Sequence, residues 1–222
     1  MATFVLVHGA FHGPWCFEPL VAVLADRGHV VITPELPLTG LTEDAEKVRS
    51  TLDGQHGPVA LLGHSYGGAV ITEAGTHPTV DRLIYLTAMA PDTGEVTHGG
   101  PVEIGPALLN ALVPADDGRL SVDPERAASV FYPDAPPAAA AAFATRIRPG
   151  VVGGTDTISD AAWHHRPTTY IVCDADPILL PSSQRALAAR IGAAVTELSG
   201  DHSPFLARPD ELADVLERAV SP

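Results

Sequence analysis

The chain has 222 residues and 23.1 kDa, enough for one domain, and its 45% hydrophobic and 18% charged residues supply a core and exclude general disorder. Acidic residues outnumber basic ones 27 to 13, giving a formal net charge of −14, so a nucleic acid would be repelled rather than gathered. No apolar run reaches the ~18 residues of a membrane span. No charged leader precedes Thr3, and two cysteines, Cys16 and Cys173, make no disulfide framework, so a cytoplasmic protein is expected.

In chain order, short apolar runs alternate with helical segments. Thr3–His8 reads as a buried strand, Cys16–Arg27 as a helix ending at Gly28, and His29–Thr33 as a second strand. Thr42–Leu52 follows as a helix with Thr42 as its N-cap, then a strand at Val59–Gly63, a helix at Tyr66–Thr76 and a strand at Arg82–Thr87. From about 92 to 166 the chain is rich in Pro, Gly and Ala. Helical stretches are expected near Asp123–Tyr132 and Pro137–Arg148, with no strand, as a lid over the sheet. Alternation resumes with a strand at Thr168–Cys173, a helix at Ser182–Ile191, a strand at Ala194–Leu198 and a helix at Pro209–Val220. Strands apolar on both faces between helices predict an α/β fold. It is a single domain over 1–222, with about six parallel strands flanked by helices and the lid inserted after the fourth strand.

One motif carries chemistry. Gly63-His64-Ser65-Tyr66-Gly67 matches G-x-S-x-G at a strand-to-helix junction, where glycines let strand and helix close around a serine held on a sharp turn. A serine hydroxyl needs a base and an orienting carboxylate, which follow in the order Ser, acid, His. His202 lies in the loop after the last strand and is the base. For the acid, Asp174 and Asp176 flank the end of the fifth strand. Asp176 lies past it, in the loop facing His202, whereas Asp174 at the terminus would bond loop amides, and Asp201, beside the histidine in sequence, would struggle to reach round to its Nδ1. The oxyanion would be held by the backbone N–H groups of Ala10, in His8–Gly13 after the first strand, and of Tyr66. His8 and His12 at i, i+4 straddle a strand end and a Gly loop, not a helix, so no metal is expected.

At these residues the sequence resembles the α/β-hydrolase superfamily. More narrowly it resembles the group holding plant hydroxynitrile lyases, methyl-salicylate and methyl-jasmonate esterases and their bacterial relatives. FVLVHGAFHGPWCF, GHSYGGAVI, FYPDAP, YIVCDADPILLPSSQ and GDHSPFLARP carry the likeness. It implies Ser65, Asp176 and His202 as the triad, no cofactor and, from relatives that are often homodimers, a homodimer. Its cyanohydrin-cleaving members carry a threonine where this chain has Gly9 and a lysine directly after the histidine, where this chain has Ser203. The only lysine here is Lys47, in a surface-type helix. The expectation is therefore a serine carboxylesterase cleaving small, largely apolar esters. Phe11, His12, Phe131, Tyr132 and Trp163 are candidates to face the substrate, beside Gly9 and Ser203. The rivals are a lyase, a thioesterase, a natural-product tailoring enzyme or a ligand-binding protein with an idle triad, since fold alone does not choose among them.

Overall fold

The structure, a computed structural model, describes residues 1–150 and 154–221. Each apolar run of the first half becomes a strand because both of its faces are covered. β1 (Thr3–Val7), β2 (Val30–Ile32), β3 (Val59–His64) and β4 (Val80–Leu86) join β7 (Thr168–Cys173) and β8 (Ala194–Leu198) in one sheet of order β2-β1-β3-β4-β7-β8, every pair parallel. Side chains alternate across it. Phe4, Leu6, Leu62, Ile84, Leu86 and Ile171 face α1 (Glu18–Asp26) and α9 (Pro209–Val220). Val5, Val7, Leu61, Leu83, Tyr85 and Val172 face α2 (Leu41–Asp53), α3 (Gly67–Ala74) and α7 (Pro181–Arg190). Burying one large aliphatic side chain contributes roughly 1.5–3 kcal/mol, so these two layers hold the sheet.

The strand order positions the site. From β1 the chain steps outward to β2, then returns to the other flank of β1 as β3. The connections leaving β1 and β3 therefore run in opposite directions and open a crevice at the carboxyl ends of the strands.

Three local expectations are corrected. The helix expected over Cys16–Arg27 is a short 3₁₀ turn, Pro14–Phe17, followed by α1. Gly40 precedes α2 as its N-cap, and Thr42 lies inside the first turn, where its hydroxyl bonds Asp156. The lid, expected to lack strands, contains a hairpin of β5 (Leu112–Pro114) and β6 (Leu120–Val122). Each strand is three residues long and one contains a proline, which hides the periodicity. The turn is marked by Asp117-Gly118, with Gly118 at φ +81°.

The rest of the lid comprises α4 (Pro106–Leu109), α5 (Pro124–Phe131) and α6 (Pro137–Ala144). Asp123 caps α5 by accepting from the Glu125 N–H. Residues 151–153 of the expected lid lie outside the described residues. Three short helical segments were not foreseen: α4 in the lid, Ala162–His164 before β7 and α8 (Pro204–Ala207) after the last loop. Among the described residues no helix is long and apolar enough to cross a membrane.

Candidate active site

Ser65 follows β3 directly and sits at φ +54°, a left-handed conformation that costs a non-glycine residue on the order of 1–3 kcal/mol. The surroundings hold it there. Its carbonyl accepts from the N–H groups of Gly68 and Met89, both at 3.0 Å, and its own N–H donates to Leu86. Gly63 and Gly67 are required by contact: a Cβ on Gly63 would lie 2.4 Å from the Gly67 carbonyl oxygen, and one on Gly67 2.5 Å from that of Val7. The next residue, Tyr66, anchors the turn to α2 through its hydroxyl, which donates to Asp44 at 2.7 Å.

On the neighbouring loops, His202 Nδ1 lies 2.7 Å from Asp176 Oδ2, with both side chains out of solvent. The carboxylate is crowded with donors. Oδ1 accepts from the N–H groups of Ile178 (2.7 Å) and Leu179 (3.1 Å), and Oδ2 also accepts from Thr87 Oγ1 and from Gln184 Nε2 (3.1 Å). With Nδ1–H directed at Asp176, Nε2 of His202 keeps its lone pair. The His202 carbonyl is held by His64 Nε2 at 2.8 Å. Asp174 instead accepts from the Gly200 N–H, and Asp201 from those of Asp134 and Ser203.

Ser65 and His202 border one cavity of about 320 Å³. Ala10 and Tyr66 border it too, and among the described residues neither backbone N–H is used in a hydrogen bond. Phe11, His12 and Phe131 line the wall, with Met89, Val102, Ile104, Leu112 and Ile178. Among the described residues the wall carries no Lys, Arg, Asp or Glu, which suits an uncharged, largely apolar ligand.

The other expected wall residues lie elsewhere. Trp163 is outside the cavity: the chain returns from the lid beneath the sheet, where Trp163 packs beside α3 and donates from Nε1 to the Pro91 carbonyl. Ser203 is buried behind His202 with its hydroxyl unpartnered. Gly9 is behind Ser65, where a Cβ on Gly9 would meet the serine Cβ at 2.9 Å. Tyr132 is under the wall, its hydroxyl 2.8 Å from His12 Nε2.

The reading of the sequence did not single out Thr87 or Gln184. Thr87 directly follows β4 and Gln184 lies inside α7, and nothing local to either marks its partner. Gln184 grips both ends of the Asp176 loop as well, since Oε1 accepts from the Cys173 N–H and Nε2 donates to the Leu179 carbonyl. Among the described residues no group of three His, Cys, Asp or Glu side chains is arranged to hold a metal ion.

Burial controls the histidines around the site. It lowers His8 to about 3, His12 to about 4 and His64 well below its ordinary value. All three are neutral at pH 7. In the unfolded chain they take up protons below about pH 6.5, while the folded chain does not, so stability falls with the pH. Between pH 6.5 and 5 the slope should approach three protons, on the order of 4 kcal/mol per pH unit. Asp44 and Asp201, whose carboxyls burial raises above their ordinary value, bind protons more readily folded than unfolded and oppose the trend. Urea unfolding at half-unit pH steps checks this, and a flat curve between pH 6.5 and 5 would contradict it.

The whole chain has known relatives. A family model described as the alpha/beta hydrolase family matches residues 4–215. A pyrethroid hydrolase of Sphingobium wenxiniae is 32% identical over 96% of this chain and 85% of its own. A carbendazim hydrolyzing esterase of a Nocardioides species is 38% identical over 109 residues, 43% of this chain and 45% of its own. The crystal structure of a pyrethroid hydrolase from Sphingobium faniae superposes with a TM-score of 0.78 at 26% identity, covering 100% of this chain and 98% of the other. With the six-stranded parallel sheet and the serine turn after β3, these matches establish that the chain belongs to the alpha/beta hydrolase family.

Proposed function

We propose that the protein is a serine carboxylesterase acting on small, uncharged, largely apolar esters. The observation that carries this reading is the 2.7 Å contact of His202 Nδ1 with a buried Asp176, beside Ser65 on one apolar cavity. Relatives named as a pyrethroid hydrolase and a carbendazim hydrolyzing esterase support ester chemistry.

In this reading Ser65 Oγ attacks the ester carbonyl carbon while His202 Nε2 takes its proton. The carbonyl oxygen becomes an oxyanion held by the N–H groups of Ala10 and Tyr66. The bond to the alcohol oxygen then breaks, and His202 passes its proton to the departing alcohol. Water attacks the acyl-enzyme by the same steps, releasing the acid and restoring Ser65. Asp176 holds the imidazole in the tautomer that leaves Nε2 free. No cofactor enters these steps. The two free cysteines, Cys16 and Cys173, fit a cytoplasmic location.

Cyanohydrin cleavage is less well supported. Leaving cyanide needs a positive group beside it. The residue after His202 is Ser203, buried and off the wall, and no lysine or arginine lines the described cavity. The native protein should therefore release no measurable cyanide from aromatic cyanohydrins.

Ser65→Ala should abolish hydrolysis of p-nitrophenyl esters with an unchanged circular-dichroism spectrum. Retained turnover would mean another nucleophile. Asp176→Asn should lower kcat by on the order of 10⁴, as the same change does in serine proteases, and Asp174→Asn by far less. A larger loss from Asp174→Asn would exchange their roles. Gly9→Thr brings a Cβ against Ser65 Cβ and should lower kcat at least 10-fold while adding no cyanide release, readable in paired ester and cyanohydrin assays.

A further inference from the structure

The FYPDAP run, Phe131–Pro136, lies between two lid helices, and the mechanism above does not use it. Its side chains nevertheless reach both loops that flank Ser65. Tyr132, fully buried, has its hydroxyl 2.8 Å from His12 Nε2, and His12 Nδ1 is 2.8 Å from the Ala10 carbonyl oxygen. A carbonyl only accepts, so Nδ1 carries the proton and Nε2 presents its lone pair to the Tyr132 hydroxyl. Arg148, from the same lid, donates its N–H to the Phe11 carbonyl (3.0 Å) and its Nε–H to the His12 carbonyl (2.8 Å). Three consecutive carbonyls of the oxyanion loop are thus capped, two by the lid directly and one through Tyr132 and His12. Phe11 sits at φ +65° within that loop, a conformation that persists only when its neighbours over-determine it.

Two residues further on, the run grips the loop of the base. The Asp134 N–H donates to Asp201 Oδ2 (3.0 Å), and the Asp201 N–H donates back to Asp134 Oδ2 (3.1 Å). Asp201 Oδ1 accepts from the Ser203 N–H (2.8 Å), so the residues on both sides of His202 are fixed by one side chain that the lid holds.

We propose that Tyr132 and Asp134 are positioning residues: through them the lid sets the geometry of the oxyanion loop and of the His202 loop. The inference rests on the reading of Ser65 as nucleophile and Ala10 N–H as an oxyanion donor. Without the Tyr132 hydroxyl, the buried Nε2 lone pair of His12 has no donor and the ring is no longer held from that side. The ring is then free to turn, and the Ala10 carbonyl loses the Nδ1–H that fixes its peptide. A displaced donor harms the oxyanion more than the bound ester, so the loss falls on kcat.

The test uses Tyr132→Phe and Asp134→Ala in the full chain, with Glu125→Ala on α5 as a control. The readouts are kcat and KM for a p-nitrophenyl ester, inhibition by an aryl trifluoromethyl ketone, whose adduct with the serine carries the oxyanion, and melting temperature. Tyr132→Phe should lower kcat by roughly 10- to 100-fold with KM within about two-fold, and weaken the ketone by the same factor. Asp134→Ala should lower kcat several-fold and slow fluorophosphonate labelling of Ser65, and Glu125→Ala should change nothing. Native kcat and ketone affinity in Tyr132→Phe, or a loss confined to KM or to melting temperature, overturns the proposal. If Tyr132→Phe does not fold, Asp134→Ala at its exposed position decides by the same criteria. A native chain that neither hydrolyses esters nor labels overturns the esterase reading, and this inference with it.

Discussion

An ionised carboxylate removed from water is stable only if donors replace its hydration, and Asp176 meets that condition through five of them. They come from four parts of the chain: Thr87 just past β4, the Ile178 and Leu179 amides of its own loop, Gln184 of α7, and His202 beyond β8. The chain must bring these donors together before the carboxylate can be removed from water. The sheet order β4-β7-β8 is what brings those loop ends together. The donors also confine the carboxylate, so the imidazole meets a fixed acceptor and its tautomer is decided before a substrate arrives.

The same logic extends outward from Asp176. His202 is held at its ring by Asp176 and at its carbonyl by His64, whose own ring stays neutral because it is buried. Ser65 is held by backbone alone, on a turn whose glycines permit strand and helix to approach within contact distance. The Ala10–His12 loop is held by the lid. Ser65 thus has a support of its own, whereas one lid run, through Tyr132 and Asp134, reaches both the Ala10–His12 loop and the loop of His202. Changes in that run should therefore be felt at both loops, since residues of one hydrogen-bond network do not act independently.

The cavity has a different character from the supports. Its described wall is apolar and carries no Lys, Arg, Asp or Glu, while the outer surface bears the net negative charge. An uncharged ester loses little hydration on moving into such a space, whereas a carboxylate product would be poorly solvated there and repelled by the surface. Product departure is then favoured by the same composition that admits the substrate.

Much of this was legible in the sequence because the signals are local. The strands of the sheet appear as apolar runs, the serine turn as G-x-S-x-G, and His202 and Asp176 as residues just past strand ends, where a parallel sheet must place its loops. The choice of Asp176 over Asp174 followed from a difference of two positions relative to the end of β7. Contacts made across the fold were not legible. Thr87 and Gln184 bond Asp176 from 89 and 8 residues away, and Tyr132 meets His12 from 120 residues away. Nothing in a threonine or a tyrosine by itself names a partner at that separation. The same holds for Trp163, which composition suggested for the cavity wall and which tertiary packing placed beside α3, and for the hairpin of the lid, too short to show a period. Sequence alone determined the layers, the turn and the candidate reacting groups, since each depends on neighbours along the chain. Only the tertiary structure decided which groups support them and which line the cavity, because those relations exist only once the sheet has closed and the lid has packed upon it.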